Sequence, residues 1–136
     1  MTRYLADSTA IWRMLRDPQI DSRWATDIDL GAVGSCAPQR VEFLRSARNR
    51  AEFDDMTAMF ADLYPDVPVP KSVWSWIGAA QYRLAEQGTH QALSVVDWLI
   101  CGVAASRDLV ILHDDRDFAT AARILGEFDE VRITAG

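Results

Sequence analysis

Apolar residues recur along this chain at two spacings, and the switching between them predicts alternating strands and helices. Arg3 to Ala6 reads as a short strand, after which Ile11, Trp12 and Leu15 fall on one side of an amphipathic helix that stops at Asp17-Pro18. A second strand is expected over Ala32 to Cys36, and Pro38 then opens a helix carrying Val41, Phe43, Leu44 and Ala47. Glu52 to Leu63 repeats the helical spacing through Phe53, Met56, Met59, Phe60 and Leu63. The proline-rich run Tyr64 to Pro70 ends it in an extended connection. Val73 to Glu86 predicts another helix, with Gly88 near its C-cap. Ser94 starts the most apolar helix, Leu109 to His113 is a β-forming run too short for a helix, and Val131 to Thr134 supplies a last strand. Alternation at these lengths predicts a three-layer α/β/α sandwich around a mostly parallel central sheet.

Composition narrows the picture. A chain of 136 residues with 49% hydrophobic content suits one domain, residues 1–136, with a single sizeable core. There is no internal repeat, low-complexity tract or flexible linker. No charged-then-apolar leader opens the chain, and its longest apolar run is broken by Asp97, so a cytoplasmic protein without a membrane partner is expected. Cys36 and Cys101 lie among apolar neighbours and form no Cys-x-x-Cys, which suits buried thiols. With His90 and His113 as the only histidines, a His/Cys zinc site is not expected. The formal charge of -6 argues against binding nucleic acid through a bulk positive field. Yet all but one of the basic residues are arginine, whose forked donors match phosphate, and Arg40, Arg45, Arg48 and Arg50 share one short segment.

Asp97 is the most informative single residue, because it interrupts the apolar run Ser94 to Ala105. A carboxylate on a helix that packs on both sides needs a cation, an arginine or backbone donors. Ser94-x-x-Asp97 is also a capping-box pattern, which would supply backbone donors locally. Other acids are expected beyond the carboxyl ends of the strands, where open parallel sheets gather ligands. Asp7 follows the first strand, Asp114-Asp115-x-Asp117 follows the third, and Glu42 lies just inside the helix after the second. Each has a local alternative: Asp7 as a helix cap, Glu42 as a solvated neighbour of Arg45, the Asp114 to Asp117 group as a solvated turn. Taken together, an all-oxygen cluster suits a hard cation such as Mg²⁺ or Mn²⁺.

Four segments in order, Tyr4-Leu5-Ala6-Asp7-Ser8-Thr9-Ala10, Val41-Glu42-Phe43-Leu44-x-Ser46-Ala47-Arg48, Ser94-Val95-Val96-Asp97-Trp98-Leu99-Ile100 and Leu112-His113-x-Asp115-x-Asp117-Phe118, resemble PIN-domain ribonucleases, in particular the VapC-type toxins of bacterial toxin–antitoxin modules. The resemblance spans nearly the whole chain. It implies a PIN-like fold and a Mg²⁺-dependent endoribonuclease (Mn²⁺ serving as well) that is held in check by a small VapB-type antitoxin and is usually a homodimer. Carried over by position, Asp7, Glu42, Asp97 and Asp115 match the acidic quartet and Asp117 a frequent fifth acid, with Asp7, Asp97 and Asp115 as the expected metal ligands. Three departures stand out: Asp7-Ser8-Thr9 where Asp-Thr-Ser is usual, His90-Gln91 where His-Arg is commoner, and Asp114 where an uncharged residue is frequent. The last two make RNA approach less favourable.

In this reading Ser8 or Thr9 donates to phosphate, Arg45 and Arg48 contact the RNA backbone from the helix that carries Glu42, and in-line attack leaves a 5′-phosphate and a 3′-hydroxyl. Trp12, Trp74 and Trp76 are candidates for a hydrophobic antitoxin groove, with partner arginines reaching into the acidic pocket. Two rival classes are a PIN-like binding protein without activity and a metal-dependent phosphohydrolase of small phosphate esters. Against the second, position 9 is threonine rather than the second aspartate of an aspartyl phosphatase, and no glycine-rich phosphate loop is present.

Overall fold

The computed structural model describes residues 1–135. Its elements run β1 (Tyr4–Ala6), α1 (Ser8–Arg16), α2 (Pro18–Asp29), β2 (Val33–Gly34), α3 (Ala37–Leu44), α4 (Arg50–Leu63), α5 (Val73–Glu86), α6 (Val95–Arg107), β3 (Val110–His113), α7 (Arg116–Leu125) and β4 (Asp129–Arg132). The strands form one sheet in the order β2-β1-β3-β4, and every pairing is parallel. Leu5 lies opposite Gly34 and Ile111, and Ala6 opposite Leu112. Because successive strand residues face opposite ways, Leu5 and Ile111 pack with α5, α6 and α7, whereas Ala6, Val33 and Leu112 pack with α1, α2, Phe43 of α3 and Phe60 of α4. The result is the expected three-layer α/β/α sandwich, with Cys36 and Cys101 as free buried thiols.

Local chemistry moved several boundaries. Asp17-Pro18 ends α1 but does not end helical structure, since the Asp17 carboxylate accepts from the Gln19 and Ile20 N–H groups and starts α2 with Pro18 in its first turn. Leu15 is 54% exposed, and Ala10, Ile11 and Met14 form the buried face of α1 instead. β2 is shorter than expected because the chain turns to the proline-rich connection, where Ser35 N–H donates to the Pro65 carbonyl and Val67 N–H to the Ser35 carbonyl. Glycine is required at position 34, where a Cβ would meet Val67 Cγ2 at 2.7 Å and the Pro65 carbonyl oxygen at 3.0 Å. α3 stops at Leu44, before Ala47, as the Ser46 hydroxyl donates to the Phe43 carbonyl and Asn49 caps α4. β4 lies earlier than Val131 to Thr134, because its register sets Val131 against Leu112 and Arg132 against His113.

The helix that carries Asp97 is the most buried of the set, with Trp98 and the run from Ile100 to Ala104 all buried. Gly102 lets α5 approach it closely: a Cβ there would stand 2.7 Å from Val73 Cγ2 and 3.3 Å from the Trp76 ring. Among the described residues, no helix is long and apolar enough to cross a membrane.

Candidate active site

Each of the principal acids is set in place by the start of an element. Asp7 follows β1 and caps α1, its Oδ1 accepting from Ala10 N–H at 3.0 Å. Thr9 donates its hydroxyl to the Asp7 carboxylate at 2.7 Å and accepts from Asp114 N–H at 2.8 Å, so one side chain ties the end of β1 to the end of β3. Asp97 completes a capping box with Ser94, accepting from Ser94 N–H while Asp97 N–H donates to the Ser94 hydroxyl. Asp115 caps α7 through Asp117 N–H at 3.0 Å. The local capping readings of Asp7 and Asp97 are therefore realised, and the acids nonetheless act on one another.

Asp97 is the centre of that mutual repulsion. Burial pushes its carboxyl above the ordinary carboxylate range, against the lowering effect of Ser94, and the charges of Glu42 and Asp115 push it further. Asp7 is only 3% exposed. Burial raises its pKa from 3.8 to about 7, opposed by Ala10 N–H and the Thr9 hydroxyl and reinforced by Asp97. Among the described residues, none of Asp7, Glu42, Asp97, Asp115 and Asp117 has an ion-pair partner. Behind them, burial raises the Cys101 thiol, assisted by the charges of Asp97 and Asp7.

The all-oxygen donor set and its uncompensated charge fit a hard divalent cation. No three His, Cys, Asp or Glu side chains among the described residues stand as a ready-made metal-binding group. Capping bonds engage one oxygen of each of two of these acids, Asp97 accepting from Ser94 N–H and Asp115 from Asp117 N–H.

The remaining sequence candidates separate into those the fold gathers and those it disperses. Ser8 accepts from the Gln39 side-chain amide at 3.1 Å, which leaves its own proton to donate. Thr9 has its single proton committed to Asp7, so it does not serve as a phosphate donor in this arrangement. Arg45 and Arg48 do not share the helix of Glu42: Arg45 is the C-cap of α3, and Arg48 lies in the following turn, held by Glu52 at 2.6 Å. Trp12 packs on the α1–α2 side of the sheet, stacked on Phe43 at 4.4 Å, whereas Trp76 packs on the α5–α7 side. Trp74 is 61% exposed on α5, so the three tryptophans do not line one groove.

Asp114 is also not the free negative charge that the sequence suggests. It is shared between Arg13 and Arg132, each at 3.3 Å. Beside it opens a cleft of about 560 Å³ lined by Thr9, Trp12, Arg13, Arg16, Asp17, Pro18 and Asp114. Gln39 escaped sequence reasoning. It is fully buried on α3, three residues before Glu42, and its amide oxygen has no partner. A polar residue in the first turn of a core helix was the only available signal.

Over 104 residues the chain is 62% identical to ribonuclease VapC6 of Mycobacterium tuberculosis, covering 76% of this chain and 82% of that one. The chain belongs to the VapC ribonuclease family. Ribonuclease VapC21 of the same organism is 29% identical over 123 residues, covering 90% of this chain and 88% of that one. The VapC-type fold extends over almost all of the chain: a DNA-bound VapBC from Salmonella typhimurium superposes with a TM-score of 0.78 at 18% identity, covering 98% of this chain and 99% of that one. No family model matches the chain.

Proposed function

We propose that this VapC-family protein is an endoribonuclease toxin that hydrolyses RNA phosphodiester bonds with a divalent cation, Mg²⁺ or Mn²⁺, and is neutralised by a VapB-type antitoxin. The observation that carries the reading is the group of mutually repelling carboxylates around Asp97, at the carboxyl end of a parallel sheet, without a protein cation to balance it. Family membership supports ribonuclease activity, and the VapBC assemblies among its structural relatives support an antitoxin partner.

Asp7, Asp97 and Asp115 would hold the cation, with Glu42 and Asp117 beside them. When bound it neutralises charge growing on the phosphate and lowers the cost of making hydroxide from water. The chain's own residues supply the rest. Ser8, oriented by Gln39, donates its hydroxyl to a phosphate oxygen, and Glu42 takes a proton from the attacking water. Arg45 and Arg48 offer donors to the RNA backbone from the exposed α3–α4 turn, Arg48 by exchanging Glu52 for phosphate. An antitoxin that presents arginine to the acidic cluster would neutralise the same charge and block the site.

The test is incubation of the pure protein with total RNA, with and without Mg²⁺, followed by mapping of the ends. Cleavage only with the cation, leaving 5′-phosphate and 3′-hydroxyl ends, is expected. Intact RNA under both conditions overturns the reading.

A further inference from the structure

His113 is the last residue of β3 and is 1% exposed, and nothing in the proposed chemistry uses it. Its ring makes two defined hydrogen bonds. Nδ1 accepts from Asp115 N–H at 3.0 Å, which requires Nδ1 to be unprotonated and places the ring proton on Nε2. Nε2 then donates to Glu130 Oε1 at 2.8 Å, across from β4. The ring also packs against Phe118, the third residue of α7, with centroids 5.4 Å apart. One side chain therefore joins the edge strand, the strand end and the first turn of the helix capped by Asp115.

We infer that His113, oriented by Glu130, is a positioning residue that holds Asp115 in place for the divalent cation. The inference rests on the proposed function, in which Asp115 is a ligand. The turn from β3 to α7 is short, and three backbone donors there are satisfied by side chains: Asp114 N–H by Thr9, Asp115 N–H by His113 and Asp117 N–H by Asp115 itself. Removing the imidazole acceptor orphans a donor beside the carboxylate and lets the turn rotate, which displaces Asp115. Glu130 has a separate task. With an acceptor at Nε2 the ring keeps its proton on that side. Without it, only Asp115 N–H still disfavours the tautomer carrying the proton on Nδ1, and whenever that tautomer forms its proton points at Asp115 N–H, donor against donor.

Four variants of the full chain test this, read by Mn²⁺ titration followed by electron paramagnetic resonance, by RNA cleavage and by melting temperature. His113→Leu, which has no acceptor, should weaken Mn²⁺ binding about tenfold or more and reduce cleavage in step. His113→Asn restores an acceptor for the N–H two residues on and should recover most of the affinity although it loses Glu130. Glu130→Gln keeps an acceptor for Nε2 and should behave as the parent, whereas Glu130→Ala should weaken Mn²⁺ binding. If His113→Leu does not fold, the comparison of Glu130→Gln with Glu130→Ala carries the test. Lower melting temperatures with unchanged Mn²⁺ affinity in both His113→Leu and Glu130→Ala would make His113 merely structural and overturn the inference. A parent protein that binds no Mn²⁺ overturns the proposed function itself, and the inference with it. A parent that binds Mn²⁺ alongside indifferent variants overturns the inference alone.

Discussion

Asp97 joins the fold to the proposed chemistry in one residue. It caps α6 through Ser94 and feels the charges of Asp7, Glu42 and Asp115. Asparagine keeps much of the capping ability of aspartate but is a poor ligand for a hard cation. Asp97→Asn should therefore lower metal-dependent RNA cleavage by about a hundredfold or more, beyond the usual effect of residues that merely support a ligand, while the circular dichroism spectrum stays that of the parent. Cleavage at the parental rate would remove Asp97 from the site. Sequence reasoning found this residue because a carboxylate in an apolar helix is anomalous on its face. It could not see that Thr9 spends its proton on Asp7, since that depends on which of two adjacent hydroxyls points inward.

At the scale of elements, the break between α3 and α4 governs where the arginines go. The sequence pattern carries α3 through Ala47, which would put Arg45 and Arg48 on the helix of Glu42. The helix instead stops at Leu44, where the hydroxyl of Ser46 competes for the Phe43 carbonyl and Asn49 begins a new helix. Arg48 is then captured by Glu52. Glu52→Gln should release it and strengthen RNA binding at low salt. Replacing both Arg45 and Arg48 by alanine should weaken binding and flatten its salt dependence, with Mn²⁺ affinity unchanged. Fluorescence anisotropy with a labelled RNA across a salt series checks both, and a double variant that binds as the parent does at every salt moves the RNA path elsewhere. Packing between α5 and α6 is the other element-scale constraint. Gly102→Ala sets a methyl 2.7 Å from Val73 Cγ2. It should destabilise the protein by about 1–3 kcal/mol, as overpacked cores do, measured by urea unfolding.

Across the whole molecule, the acidic cluster links stability to pH and to metal. Burial pushes the Asp7 carboxyl up to about 7 in the fold, from an ordinary value of 3.8. Between those values the folded, metal-free protein holds a proton that the unfolded chain has lost, so the stability from this group is complete below the lower value and disappears as pH rises through the upper one. The metal-free melting temperature should therefore fall from pH 5 to pH 8 by more in the parent than in Asp7→Asn, which does not titrate there. That variant should also melt higher than the parent at pH 8. Cation binding runs the other way, since it requires the deprotonated carboxylate. Mg²⁺ at about a hundred times its dissociation constant should stabilise the protein by about 2.7 kcal/mol at pH 8, a shift of several degrees, and by less at pH 5. Differential scanning fluorimetry at the two pH values reads all of these, and a curve indifferent to Mg²⁺ at both counts against the site.

The alternation of short β-formers with helical spacings was enough to specify a parallel α/β sandwich, because strand length and apolar period are local properties. The acids at the ends of β1 and β3 and at the start of α6 were legible for a related reason: topology sends those ends to one edge of a parallel sheet whatever the side-chain details. What the sequence could not contain was pairing across elements. Arg13 and Arg132 neutralise Asp114 from α1 and β4, and Glu130 reaches His113 from a neighbouring strand. The tryptophans fall on opposite sides of the sheet. Those contacts join residues far apart in the chain, and the register and layer that bring them together exist only once the chain has packed.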